Sequence, residues 1–120
     1  MSKRMPMVIV ESPYKGHGWW PLSMFRRWRN ARYARACLRD CLDRNEAPFA
    51  SHILYTQPGV LDDGRLVERM RGIQAGLALA ERADKTVVYT DLGVSHGMVL
   101  GIEAATAAGR PVEYRQLRGS

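Results

Sequence analysis

The fold is decided by the stretch Thr86–Tyr114, TVVYTDLGVSHGMVLGIEAATAAGRPVEY. Thr86–Tyr89 is a short run of β-branched and aromatic residues with no polar alternation, the pattern of a strand covered on both faces. Asp91, Gly93 and Ser95 break it. A helix is expected from about Gly97 to Ala108, stopped by Gly109, and Pro111-Val112 opens a further strand. In an open parallel sheet, ligands bind where the carboxyl end of a strand meets the helix that follows. The segment Asp91–Met98 is therefore the expected centre of function.

Upstream of this unit, Met5–Glu11 reads as a first strand that runs into the turn-forming segment Ser12-Pro13-Tyr14-Lys15-Gly16. That loop carries neither a GxGxxG fingerprint nor a GxxxxGK[ST] phosphate loop. Residues 17–29 interleave three tryptophans and a phenylalanine with arginines and read as an aromatic and basic insertion. Asn30 is the expected N-cap of a helix that ends near Asn45, with Tyr33, Cys37, Leu38 and Cys41 on its apolar stripe. Ala47–Ser51 is a short second strand, and a loop holding His52 and Tyr55 follows it. Over Arg65–Arg82 the residues Leu66, Met70, Ile73, Leu77 and Ala80 recur at helical spacing, which predicts an amphipathic helix with one core-facing stripe. Gly72 and Gly76 lie inside it at a cost of about 1 kcal/mol each, a spacing that suits close backbone packing. Strand and helix signals thus alternate along residues 1–120. The expectation is a single α/β domain: a flavodoxin-like (Rossmann-like) three-layer sandwich around a parallel sheet of about four to five strands.

With 120 residues, 46% of them hydrophobic, the chain suffices for one compact domain and is too short for two. Its apolar runs fall short of the ~18–20 residues that span a bilayer, so no membrane partner and a cytoplasmic location are expected. Cys37 and Cys41 lie one helical turn apart, a geometry that suits two buried free thiols better than a disulfide. His17, His52 and His96 show no metal-ligand spacing, and neither a metal nor a cofactor is expected. Eighteen basic and twelve acidic residues give a net charge of +6. Most of the excess lies before Asp40, which suits an anionic partner or a solvated helix face.

Three loops should meet at one edge of the sheet. The first contributes Ser12, Pro13, Tyr14 and Lys15, the second His52 and Tyr55, and the third Asp91, Leu92, Ser95, His96, Gly97 and Met98. Asn30 completes the expected ligand-binding set. Ser95 as N-cap, with the free N–H groups of Gly97 and Met98, makes a helix terminus suited to an anion, and Ser95 equally caps its own helix. Asp91 has two open roles, bonding a ligand or closing its own loop. Glu11, Asp91 and Glu103 are the acidic candidates for catalysis. Ser95 and His96 are sequence neighbours without a third partner, which does not make a hydrolase triad.

The segments VIVESPYKG (8–16), NARYARACLRDCLDRNEAPFASHILYTQPGVLDD (30–63) and ADKTVVYTDLGVSHGM (83–98) followed by GIEAATAAGRPVEYR (101–115) resemble the nucleoside 2-deoxyribosyltransferase-like superfamily. The likeness is closest to its small phage and actinobacterial members of unknown function. It implies a flavodoxin-like sheet, a nucleoside or nucleotide ligand and a homo-oligomer. In the enzymes of that superfamily a glutamate nucleophile lies on the helix after a Gly-Met or Gly-Thr pair. Aligned on Gly97-Met98, Ala105, Gly109 and Val112, that position here is Gly101, and Glu103 lies two residues further round the helix.

Three readings follow. The first is a protein that binds an anionic nucleotide or nucleoside derivative without transferase activity, because Gly101 supplies no carboxylate. If phage-encoded, it would work in the host cytoplasm, where its ligand could be a defence signal that it sequesters. The second is an N-glycosidase or deoxyribosyltransferase that recruits Glu11, Asp91 or Glu103. The third is a basic nucleic-acid-binding module.

Overall fold

The computed structural model describes residues 4–13, 21–50, 54, 57, 59–62 and 64–117. Its elements run β1 (Met7–Glu11), α1 (Leu22–Asp43), β2 (Ala47–Phe49), α2 (Leu66–Ala80), β3 (Lys85–Tyr89), α3 (His96–Ala107) and β4 (Val112–Arg115). The four strands form one sheet in the order β2-β1-β3-β4, with all pairings parallel. Parallel neighbours need crossovers, which the helices supply. This is the expected flavodoxin-like, Rossmann-like α/β domain. The two central strands are the most apolar: Val8, Ile9 and Val10 of β1 and Val87, Val88 and Tyr89 of β3 are all buried.

Side-chain alternation divides the sheet into two faces. Val8, Val10, Val87 and Tyr89 form one core with Cys37 and Cys41, so α1 covers this face. Both thiols are free and buried, as expected. Glu11 lies on the opposite face, against Gly101 of α3. On that side Arg110 donates to the Thr86 hydroxyl (3.0 Å) and to the Ala80 carbonyl (2.9 Å), tying the end of α2 and the entry of β4 to β3.

The helix ends obey local chemistry. Asn45 takes a left-handed φ of 66° after α1, and Gly109 takes 71° after α3. Asparagine and glycine are the residues that accept this conformation at a helix terminus. Ser95 caps α3 as expected, accepting from the Met98 N–H at 3.3 Å.

Two expectations fail. Helix α1 starts at Leu22, well before Asn30, and runs through much of the segment read as an insertion. Asn30 is not an N-cap: it is an interior helical residue, 2% exposed. Leu22, Met24, Phe25 and Trp28 fall at helical spacings in these first turns, but they are exposed, so their period does not face the core. Phe25 packs near Trp28 (6.2 Å between centroids), and the Arg32 guanidinium lies 5.5 Å from the Trp28 ring centre.

The second failure is α2. Its apolar stripe does not face the core. Ala80 is buried, but Leu66, Met70, Ile73 and Leu77 are each more than half exposed. The half-buried side instead carries Gly72, Ala75, Gly76 and Leu79. Periodicity locates a stripe; what the stripe faces is a tertiary matter. Among the described residues, no helix is long and apolar enough to cross a membrane.

Candidate functional site

The carboxyl ends of β1 and β3 place Glu11 and Asp91 at one edge of the sheet, with α3 beside them. Glu11 is the last residue of β1, and its carboxyl group turns toward α3. A Cβ built on Gly101 would fall 2.5 Å from the Glu11 Cδ, and closer still to Oε2. The Glu11 carboxyl therefore fills the space that any side chain at position 101 would need. Glycine leaves that room, with no demand on its φ, and a larger residue would have to displace the flexible end of Glu11.

Burial pushes the Glu11 carboxyl up to about 7, and the positive charge of Arg110 only partly offsets this. A carboxyl desolvated beside a helix and poised near neutrality has the properties of a proton-transfer group. Replacing Gly101 with alanine should expel the Glu11 side chain from this position. The expected readout is a Glu11 titration that returns toward 4.5, followed by the carboxyl carbon resonance in NMR. An unshifted midpoint would show that the two residues do not share this space.

Asp91 has a different job. Its Oδ1 accepts from the Tyr33 hydroxyl at 2.6 Å, and both its oxygens accept from the Leu117 N–H, at 2.9 and 3.1 Å. The Asp91 N–H in turn donates to the Tyr33 oxygen at 3.0 Å. One carboxylate thus links α1, the β3–α3 loop and the segment after β4. Desolvation, reinforced by this carboxylate, pushes the Tyr33 phenol up, so it stays a neutral donor. Asp91 positions the loop, and its lone pairs are largely committed to that role.

The remaining predicted residues divide clearly. Ser12 and Pro13 are buried directly after Glu11. Leu92 is exposed in the β3–α3 loop, and His96 and Gly97 are exposed at the start of α3, where Gly97 faces open space. Met98 is 1% exposed, and its sulfur accepts from the Ser95 N–H at 3.3 Å, so it is a core and capping residue. Glu103 is exposed on α3. Asn30 is buried in α1, its Oδ1 accepting from Arg29 at 3.2 Å. The expected ligand contacts of Tyr14, Lys15, His52 and Tyr55 lie outside the described residues.

The sequence reading missed a polar cluster under α1. Arg115 grips Glu46 with two hydrogen bonds, 2.7 and 2.6 Å, and also pairs with Glu113. Lys85 bridges Glu46 and Glu113, at 3.0 Å to each. The Tyr89 hydroxyl donates to Asp40 at 2.6 Å and contacts the Cys41 sulfur at 3.4 Å. The available signal was weak: basic and acidic residues at alternating positions of a short strand, Glu113 and Arg115.

Comparison with known proteins settles the family. The model of a domain of unknown function, DUF7768, matches residues 6–115. The chain belongs to this family. No curated protein matches it. Among solved structures, this DUF7768 domain is similar to a 2-deoxyribosyltransferase from Bacillus psychrosaccharolyticus, with a TM-score of 0.66 and 15% identity. The match covers 95% of the DUF7768 chain and 74% of the transferase. At this identity the likeness concerns the fold, and it agrees at that level with the superfamily resemblance in the sequence.

Proposed function

We propose that this chain binds a nucleoside or nucleotide derivative at the sheet edge formed by β1, β3 and α3, and that Glu11 acts there on the N-glycosidic bond. The observation that carries this reading is the Glu11 carboxyl, buried, raised to about 7, and seated in the space of a side chain at Gly101. The superfamily resemblance puts a carboxylate at that helix position. Here that helix position is glycine, and the first strand brings the Glu11 carboxyl against it. The structural neighbour is described as a biocatalyst for nucleoside synthesis, which agrees with a nucleoside-type ligand. A carboxyl poised near neutrality gives its proton to the leaving base as the bond from C1′ to the base nitrogen breaks. Water or a second base then takes the sugar.

Gly101 also supports a second reading: binding without turnover, such as sequestration of a nucleotide signal by a phage-encoded protein. That position offers no nucleophile for a covalent glycosyl intermediate. One experiment separates the two. The protein is incubated with nucleosides, nucleotides and cyclic nucleotides, and the products are resolved by chromatography. Free base released over many turnovers, and lost in Glu11→Gln, is the expected result. Intact ligand recovered in stoichiometric amount, with no free base, would establish binding alone. Retention of random oligonucleotides that falls steeply with salt would favour the basic module instead.

A further inference from the structure

A route through a glycosyl-enzyme needs two groups in opposite protonation states. One is an acid that holds its proton for the leaving base, the other an ionised carboxylate that bonds C1′. One carboxyl cannot be both in the same step. Among the described residues, no second carboxylate is placed against Glu11 and free to bond carbon. The residue facing it, Gly101, has no side chain. Asp91 spends its oxygens on the Tyr33 hydroxyl and the Leu117 N–H. Glu103 is exposed two residues beyond Gly101, about 200° round the helix. Glu81 follows α2 where the chain enters β3, at the opposite edge of the sheet. Asp40, Asp43, Glu46, Glu68, Asp84 and Glu113 are held in ion pairs, and Asp62 accepts from the Gly64 N–H at 2.9 Å.

We propose that the acceptor at this site is water alone, added to C1′ in a single displacement with inversion, so that the chain is an N-glycoside hydrolase and not a base-exchange transferase. This rests on the role proposed above for Glu11. The Glu11 carboxyl proton moves to a nitrogen of the base, and the electron pair of the C1′–N bond leaves with the base. A water oxygen bonds C1′ from the opposite face. That water gives a proton to solvent, and solvent returns one to the Glu11 carboxylate. The balance is nucleoside plus water to free sugar plus base. Transfer to a second base needs the sugar held on the protein after the first base departs, and a bond to a carboxylate is what holds it. Without that bond, water captures the developing cation at C1′. The start of α3 stands open to solvent at His96 and Gly97, so water has access.

The test incubates the full chain with ribonucleosides, deoxynucleosides and their monophosphates in aqueous methanol that also contains a second free base. Natural nucleosides hold the base on the β face, so inversion leaves the α anomer. Methyl furanosides do not interconvert, and NMR reads their configuration at C1′. The expected products are free sugar and the methyl α-furanoside, with no new nucleoside. The methyl β-furanoside, a nucleoside carrying the added base, or a glycosyl adduct in the intact protein mass overturns the inference, while leaving Glu11-dependent base release standing. Base release should also fall as pH rises through about 7, where the carboxyl gives up its proton. A rate that rises there makes Glu11 an ionised nucleophile and overturns the inference as well. Glu11→Gln should lose base release by roughly 100-fold or more. If no substrate releases base, or if Glu11→Gln releases it unchanged, the role of Glu11 fails first and this inference falls with it.

Discussion

Arg115→Ala should destabilise the domain by about 3–5 kcal/mol, the cost of leaving a buried carboxylate without its main partner. Arg115 is 7% exposed and Glu46 5%. Their two parallel hydrogen bonds form a bidentate pair. Removing the guanidinium leaves Glu46 with Lys85 alone, at 3.0 Å, and takes one partner from the carboxylate of Glu113. The Tyr89 hydroxyl also loses a donor at 3.4 Å. Urea unfolding with linear extrapolation measures the change. A loss under about 1 kcal/mol, typical of an exposed ion pair, would show that this cluster is solvated and weak.

The same cluster has a pH signature. Hydrogen bonds from Arg115, and secondarily from Lys85, hold the Glu46 carboxyl down at about 2, against an ordinary value of 4.5. Its folded value lies below its unfolded value, so the stability it supplies is complete above about 4.5 and drains away as pH falls toward 2. Replacing both Arg115 and Glu46 with apolar residues of similar volume should recover most of the single-variant loss, because the buried charge and its partner leave together.

Glu11→Gln should flatten a pH dependence of the opposite sign. The folded state holds the Glu11 proton up to about 7, whereas the unfolded chain releases it near 4.5. Between these values the folded protein binds more protons, so rising pH removes stability and the loss is complete above about 7. The gap amounts to about 3 kcal/mol at most. The amide that replaces the carboxyl cannot ionise, so the variant should lack this downward slope. Relative to wild type it should gain stability as pH rises from about 4.5 to about 7. Thermal unfolding scans across that range read the difference. Parallel profiles for the two proteins would mean that Glu11 ionises as an ordinary surface carboxylate and would remove the basis for its proposed chemistry. A residue that costs stability when charged, yet whose neutralisation abolishes base release, carries the signature of a functional group.

Much of the scaffold was legible in the chain because local chemistry specifies it. The β3 run is apolar without alternation, which already implies cover on both faces. Gly109 marks the end of α3 because it accepts a left-handed backbone, and Ser95 marks its start because its hydroxyl meets a free N–H. The start of α1 was not legible: Asn30 is a good cap by type, but the exposed Phe25 and Trp28 give the preceding turns no core-facing period. The roles at the site were less legible still. Asp91 resembled a ligand residue, and whether it bonds a ligand or its neighbours depends on Tyr33 and Leu117, which are remote in sequence.

By itself the sequence determined the succession of strands and helices and the parallel α/β architecture, because each follows from residues a few positions apart. The superfamily resemblance made Gly101 stand where its enzymes carry a carboxylate. Only the tertiary structure decided what lies against it. The sheet pairs β1 directly with β3, α3 packs on the face that Glu11 occupies, and a glycine on that helix leaves room for a carboxyl from the first strand. The outward turn of α2 was settled the same way. Both depend on which surfaces meet across the fold, and that information lies in long-range packing rather than in any local run of residues.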